Sequence, residues 1–133
     1  MLNKAFSIKS SCSSRLIKFS PIQYEGFKVE LTGPHVSCQA DIFPVTDEDG
    51  LTDFFTELGL STTPWQGQRS WSSICDDFCI SASCSSLGVV VLDVTIRGQM
   101  GGADNWSVNV RIETELYSYV CSMPPRYKLK QTL

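Results

Sequence analysis

The sequence predicts an α+β fold, in which a single curved antiparallel β-sheet of about six or seven strands carries one main α-helix (about residues 47–59) on one face. Apolar and polar residues alternate along most of the chain, as they do in half-buried antiparallel strands. One central segment instead has the apolar spacing of a helix. Residues 1–133 contain no linker and no internal repeat, so we expect a single domain.

The clearest alternation lies in the second half of the chain. In Asn105–Leu116 the even positions carry apolar residues or Thr, and the odd positions carry polar or charged residues. The segments Asp77–Cys84 and Val89–Arg97 alternate in the same way, and the short connection Ser85–Gly88 predicts that they form a hairpin. These three segments therefore predict a three-stranded meander.

The first third of the chain is also rich in predicted strands. Ala5–Ser10 and Arg15–Ser20 flank a short serine-rich connection and predict one hairpin. Phe27–Leu31 and Val36–Ile42 alternate on either side of Gly33-Pro34, a dipeptide typical of turns. We expect these strands to continue the same sheet.

The helical segment has an apolar stripe at positions i, i+3, i+4 and i+7, which predicts a helix lying across one face of the sheet. The stripe consists of Leu51, Phe54, Phe55 and Leu58. Three carboxylates precede it and can cap free N–H groups, namely Asp47, Glu48 and Asp49. Gly59 is a natural end for this helix.

Composition excludes several classes of function. The net charge is −3 and the pI about 5.0, and the basic residues are scattered, which argues against a nucleic-acid partner because phosphate recognition usually needs a basic face. No apolar run reaches the about 18 residues that a membrane span needs. The N-terminus lacks the continuous apolar region of a secretory signal, so we expect a cytoplasmic protein with no membrane partner.

Neither the cysteines nor the single histidine form a recognisable reactive site. The spacing Cys75-x3-Cys79-x4-Cys84 lacks the paired C-x2-C units of structural zinc sites, and alternation places Cys79 and Cys84 on opposite faces. We expect all six cysteines to be reduced and mostly buried, with metal binding as the alternative. His35 follows a turn dipeptide and is expected at the surface. The sequence therefore predicts no catalytic residue, no metal ligand and no cofactor.

Two interpretations apply to the segment Trp65-x-Gly67-x-Arg69-x-Trp71. Its odd positions share one face in an extended chain, so Arg69 can lie between two indole rings as a cation–π partner. In the structural interpretation the tryptophans seal the edge between helix and sheet. In the functional one, an aromatic and arginine patch contacts a partner, since such residues are enriched at interface hot spots.

The same segment carries a family resemblance. The Phe54-Phe55 helix followed by Trp-x-Gly-x-Arg-x-Trp, and then by the alternating strands, resembles an uncharacterised family of small bacterial proteins, a domain of unknown function. The resemblance covers roughly residues 50–116 and implies no catalytic residue. In size and acidity, such small α+β proteins resemble the immunity proteins that neutralise bacterial toxins.

We therefore predict a non-enzymatic protein-binding module, namely a bacterial immunity protein that neutralises a cognate protein toxin. The candidate partner-binding residues are Asp47, Glu48, Asp49, Trp65, Arg69, Trp71, Asp93, Arg111, Glu113 and Glu115. One alternative is an enzyme or ligand-binding domain whose pocket near Arg69, Trp65 and Trp71 holds an anionic group. Another is a structural or oligomeric subunit that pairs through an exposed sheet edge.

Overall fold

The computed structural model describes residues 4–22, 26–43, 50–98 and 105–115, which form two four-stranded antiparallel sheets and one helix. The first sheet consists of β1 (Phe6–Lys9), β2 (Leu16–Ile22), β3 (Gly26–Gly33) and β4 (Val36–Ile42). The second consists of β5 (Arg69–Ser72), β6 (Phe78–Cys84), β7 (Val89–Gly98) and β8 (Trp106–Glu115). The helix α1 (Gly50–Gly59) lies between β4 and β5 in the chain. In both sheets each strand pairs with its neighbour in the sequence.

The predicted single sheet of six or seven strands is wrong, and so is the α+β class, because the described chain is mainly β and divides into two sheets. The connection from β4 to β5 contains α1 instead of a tight turn, and these two strands do not pair. A helix about 10 Å wide covers only about two strands spaced about 4.8 Å apart. Two sheets packed face to face bury both apolar faces, which one short helix could not do.

A cluster of aromatic rings joins the two sheets. The ring of Phe78 on β6 lies 5.9 Å from that of Phe19 on β2 and 5.6 Å from that of Phe27 on β3. From α1, Phe55 adds its ring at 5.3 Å from Phe6 and 5.4 Å from Phe19. The core therefore lies between the two inner faces, and the helix closes it at one side.

The local predictions are confirmed. The hairpins β1–β2, β3–β4 and β6–β7 are antiparallel, and β8 completes the predicted meander. All four residues of the predicted helical stripe are buried. The helix is described from Gly50, so the predicted first residues Asp47, Glu48 and Asp49 lie outside the described residues. No helix in the described part of the chain has the length and apolar character to span a membrane.

The first sheet also contacts the free edge of β8. In the turn between β1 and β2, the Ser11 backbone N–H donates to the Glu113 carbonyl oxygen at 2.8 Å. The Arg15 guanidinium donates to the Arg111 carbonyl oxygen at 3.1 Å. These bonds satisfy carbonyl groups that an edge strand would otherwise leave unpaired. They also hold the β8 edge of the second sheet against the first sheet.

Candidate functional site

The face of the second sheet that points away from the core is a polar surface, which we call the outer face. Its side chains come from alternate positions on all four strands, since the inward positions supply the apolar core. It includes Ser70, Ser72, Cys79, Ser81, Ser83, Asp93, Thr95, Arg97, Asn109, Arg111, Glu113 and Glu115. Four of the predicted partner-binding residues therefore share this face, namely Asp93, Arg111, Glu113 and Glu115.

A hydrogen-bonded charge network occupies the centre of the β7–β8 part of the outer face. Asp93 and Arg111 are directly opposite in the register, and Arg111 Nε lies 3.3 Å from Asp93 Oδ2. Asn109 Nδ2 donates to Asp93 Oδ1 at 2.6 Å and to Thr95 Oγ1 at 2.8 Å. The Arg111 side chain is 71% exposed, so this ion pair contributes at most about 1 kcal/mol to stability. Its effect is to hold charged groups at fixed positions on an exposed surface.

Two further carboxylates extend the network along β8. Glu113 and Glu115 follow Arg111 at alternate positions, and both are exposed. The Cys12 thiol donates to Glu113 Oε2 at 3.7 Å, so the first sheet contacts the side chain as well as the backbone of this residue. The end of the outer face nearest the β1–β2 turn is therefore acidic.

Arg69 and Trp65 form a second group, at the junction of helix and sheet. The Arg69 guanidinium carbon lies 4.5 Å from the centre of the Trp65 ring. Its Nε is 3.8 Å from Glu57 Oε1, near the end of α1, and its Nη1 donates to the Ser61 hydroxyl. The predicted cation–π contact is thus present with Trp65. The guanidinium also joins β5 to the end of the helix.

Trp71, the second tryptophan of the motif, belongs to the edge of the core. Its ring lies 6.3 Å from that of Phe27 and 6.0 Å from that of Phe78. On β5 it shares the inward-pointing face with Arg69, since these two residues pair with Ile80 and Ala82 of β6. The structure therefore separates Trp71 from the outer face and from its four charged candidates.

Two open concavities flank β5 and β6, and one of them lies beside Trp65. The larger, of about 530 Å³, is lined by uncharged residues that include Trp65, Gln66, Gln68 and Ser83. The smaller, of about 300 Å³, lies on the outer face, and its lining includes Gln68, Ser70, Ser81 and Asp93. Because Gln68 lines both, they adjoin, and we call the joined surface the polar trough. It is defined here by Trp65, Gln66, Gln68, Ser70, Ser81 and Ser83.

In the sequence, the serines of the polar trough are only the polar residues of an alternating apolar and polar pattern, and nothing else distinguishes them. Such a pattern is typical of any solvent-facing strand. Only the pairing of β5 with β6 brings these hydroxyls side by side. Of the motif's three large side chains, Trp65 lines the larger concavity, whereas Arg69 and Trp71 line neither of the two.

His35 lies in the exposed turn between β3 and β4, as predicted, with a backbone φ of 64°. It follows Pro34 in a two-residue connection, where the second position commonly has a positive φ. Among the described residues, no group of three or more His, Cys, Asp or Glu side chains is arranged to hold a metal ion.

The prediction that the cysteines are mostly buried is wrong for the five that the structure describes. All five are free thiols, of which Cys12 and Cys75 are exposed and Cys38, Cys79 and Cys84 are half-buried. The half-buried thiols lie at strand positions near sheet edges or on the outer face, where packing covers one side only. Burial raises the pKa of the Cys38 thiol above its ordinary value.

A family model described as a family of unknown function, DUF6228, matches residues 8–116. This chain belongs to DUF6228. The predicted membership of an uncharacterised family is thereby confirmed. No curated protein and no solved structure matches the sequence.

The DUF6228 match covers more of the chain than the resemblance described above, because that resemblance began only near residue 50. It starts within β1 and extends just beyond β8, so it includes both sheets, α1 and the outer face. The first sheet, which packs against the helix, is therefore as much a part of the DUF6228 domain as the tryptophan motif.

Proposed function

We propose that this chain is a non-enzymatic, cytoplasmic protein-binding module that uses the outer face of its second sheet to bind and neutralise a cognate protein toxin. The observation that carries the proposal is the exposed network of Asp93, Asn109 and Arg111, with Glu113 beside it. Preorganised polar groups lose less conformational freedom on binding, and charges of both signs orient a partner.

The size of the outer face suits this role. Its four strands have 4, 7, 10 and 10 residues, with about 3.3 Å per residue and about 4.8 Å between strands. The resulting area of roughly 500 Å² is a large part of the about 800 Å² that each partner contributes to a standard interface.

The charge of the face indicates the partner's chemistry. On the outer face the carboxylates of Asp93, Glu113 and Glu115 outnumber the guanidinium groups of Arg97 and Arg111, so a complementary partner surface carries excess positive charge. Toxins that act on nucleic acids need such a surface for their substrate, and a module that covers it would block their action. The assignment to the immunity class itself is by analogy of size and acidity.

The test uses the full chain and the proteins encoded next to its gene. Each neighbouring protein is expressed alone and together with this chain, and growth of the host is measured. A neighbour that stops growth alone but not with this chain is then titrated with it by calorimetry. We expect tight 1:1 binding that Arg111→Glu and Glu113→Lys each weaken at least about tenfold.

Lys18→Glu is the matched control, because Lys18 is exposed on β2 of the first sheet, away from the outer face. The control should bind like the unmodified chain. If no neighbour is toxic, or if the toxic neighbour binds Arg111→Glu and Glu113→Lys as tightly as the unmodified chain, the proposal is wrong.

The two alternatives receive less support. A pocket in which Arg69 orients an anion needs a free guanidinium, and this one already contacts Glu57, Ser61 and Trp65. An oligomeric subunit would pair through an outer strand such as β4. Light scattering at several protein concentrations tests that alternative, because the molecular mass of a self-associating chain rises with its concentration.

A further inference from the structure

The polar trough contains hydroxyl groups that the fold does not use. The described residues provide no hydrogen-bond partner for the hydroxyls of Ser70, Ser81 and Ser83, of which Ser70 and Ser81 lie directly opposite each other on β5 and β6. By contrast, the Ser85 hydroxyl caps the β6–β7 turn by accepting from the Val89 N–H at 3.1 Å. The trough serines are thus available to a ligand that carries hydrogen-bonding groups.

An aromatic platform lies at one end of the trough. Trp65 lines the larger concavity, and the Arg69 guanidinium packs over its ring. Trp65 is half-buried and packs partly against the core, so only the part of its side chain that borders the concavity can contact apolar C–H groups of a ligand. The contact with Arg69 holds the ring in place, as a stacking surface requires.

The charge distribution selects an uncharged ligand. No residue lining the larger concavity is ionisable except the Cys84 thiol. The pKa of that thiol is raised by burial, so it is neutral at physiological pH. The carboxylate of Asp93, at the far side of the smaller concavity, is already paired with Arg111 and Asn109. Nothing in the trough would pair with a phosphate or a free carboxylate.

The backbone beneath the trough argues against a peptide. β6 is paired on both sides, with Ser81 opposite Ser70 of β5 and opposite Asp93 of β7. An extended peptide binds mainly by adding a strand at a free sheet edge or by fitting a groove with several aromatic residues. β5 is the edge strand of this sheet, but the trough's serines project from the sheet face and not along that edge, so recognition there uses side-chain hydroxyls and amides.

We propose that the polar trough binds a neutral oligosaccharide. Trp65 stacks against one sugar ring, and the amides of Gln66 and Gln68 bind its hydroxyls as both donors and acceptors. The serines continue these contacts along β5 and β6. The larger concavity, about 530 Å³, falls within the about 300–1,000 Å³ typical of small-ligand sites.

In the test, the full chain is titrated with neutral oligosaccharides of glucose, galactose and N-acetylglucosamine, from trisaccharides to hexasaccharides. Binding is measured by calorimetry and by tryptophan fluorescence. We expect saturable binding of at least one series at concentrations below about 10 mM, with a change in fluorescence from Trp65. Gln66→Ala and Gln68→Ala are each expected to weaken it about fivefold, as the loss of a neutral hydrogen bond does. Both glutamines are exposed, so these variants should fold normally.

Gln39→Ala is the matched control, since Gln39 is an exposed glutamine on β4 of the first sheet. It should leave sugar binding unchanged. The proposal is overturned if no sugar binds saturably, if Gln66→Ala and Gln68→Ala bind as well as Gln39→Ala, or if a neutral serine- and glutamine-rich peptide binds more tightly than every sugar. Arg111→Glu, which tests the toxin interface, should not affect sugar binding, so the two proposals can fail separately.

Discussion

Trp106 on β8 lies directly opposite Gly98 on β7, and its indole ring fills the space that a side chain at position 98 would occupy. A Cβ built on Gly98 would overlap ring atoms Cε2, Nε1 and Cζ2 of Trp106. The glycine therefore makes room for a partly exposed aromatic residue at the end of the longest strand pair. Close cross-strand packing of this kind stabilises the end of a sheet.

Gly98→Ala should lower the free energy of unfolding by about 1 kcal/mol, because the ring must move away from the new methyl group. In a Trp106→Ala background the same change should cost little or stabilise slightly, since alanine reduces the freedom of the unfolded chain. Urea unfolding of the two single variants and the double variant measures the coupling, expected at about 1 kcal/mol. Additive effects would contradict the close packing.

Thr56→Val should stabilise the protein. The Thr56 hydroxyl is buried in α1 and finds no partner among the described residues. Its removal relieves a desolvation cost of about 1 kcal/mol, and Thr and Val have similar helix propensities. Thermal unfolding followed by circular dichroism measures the expected rise in Tm.

Ser73→Ala is the matching variant in which the buried hydroxyl that is removed does have hydrogen-bond partners. Ser73 is also buried, but its hydroxyl donates to Asp77 and accepts from the Phe78 N–H at 3.0 Å. Its loss should lower the free energy of unfolding by about 1–3 kcal/mol. If both variants shift Tm in the same direction, the difference between paired and unpaired hydroxyls does not govern stability here.

The link between α1 and β5 depends on the guanidinium of Arg69 more than on its ion pair. Arg69→Met keeps most of the apolar stem but loses the contact with Trp65 and the bond to Ser61, so we expect a loss of about 1–2 kcal/mol. Glu57→Gln should cost less than about 0.5 kcal/mol, because that carboxylate is 66% exposed. Urea unfolding compares the two variants, and equal losses would show that the ion pair dominates.

The half-buried thiols should react more slowly than the exposed ones. Desolvation by burial raises the pKa of the Cys84 thiol, although the Trp65 backbone N–H and the charge of Arg69 act in the opposite direction. Because the thiolate is the reactive form, Cys84 and Cys38 should be alkylated by iodoacetamide at pH 8 after Cys12 and Cys75. Peptide mass spectrometry over time gives the order of labelling.

The raised pKa values of the Cys38 and Cys84 thiols determine how the folding stability changes with pH. A thiol with a raised pKa in the folded state favours folding below its ordinary value of 9.0 and loses that contribution as the pH rises above it. We therefore expect Cys38→Ala and Cys84→Ala to make stability less sensitive to pH above about 9. A Gln39→Ala control, at an exposed position with no titratable group, should leave the pH dependence unchanged.

Much of the candidate protein interface could be predicted from the chain alone. Alternation assigned Asp93 and Arg111 to the polar side of their strands, and antiparallel pairing of β7 with β8 brought them together. The polar trough could not be predicted, because β5 has only four residues and no alternation long enough to identify it. The polar partners of Arg69 were also missed, since Glu57 and Ser61 meet it only after the chain turns back from the helix.

The sequence by itself determined where the chain forms hairpins and where it forms a helix, because side-chain periodicity and turn residues act over a few positions. The tertiary structure alone decided that eight strands divide into two sheets with their apolar faces together. That choice depends on how much apolar area each face must bury, a property of whole sheets and not of any local pattern.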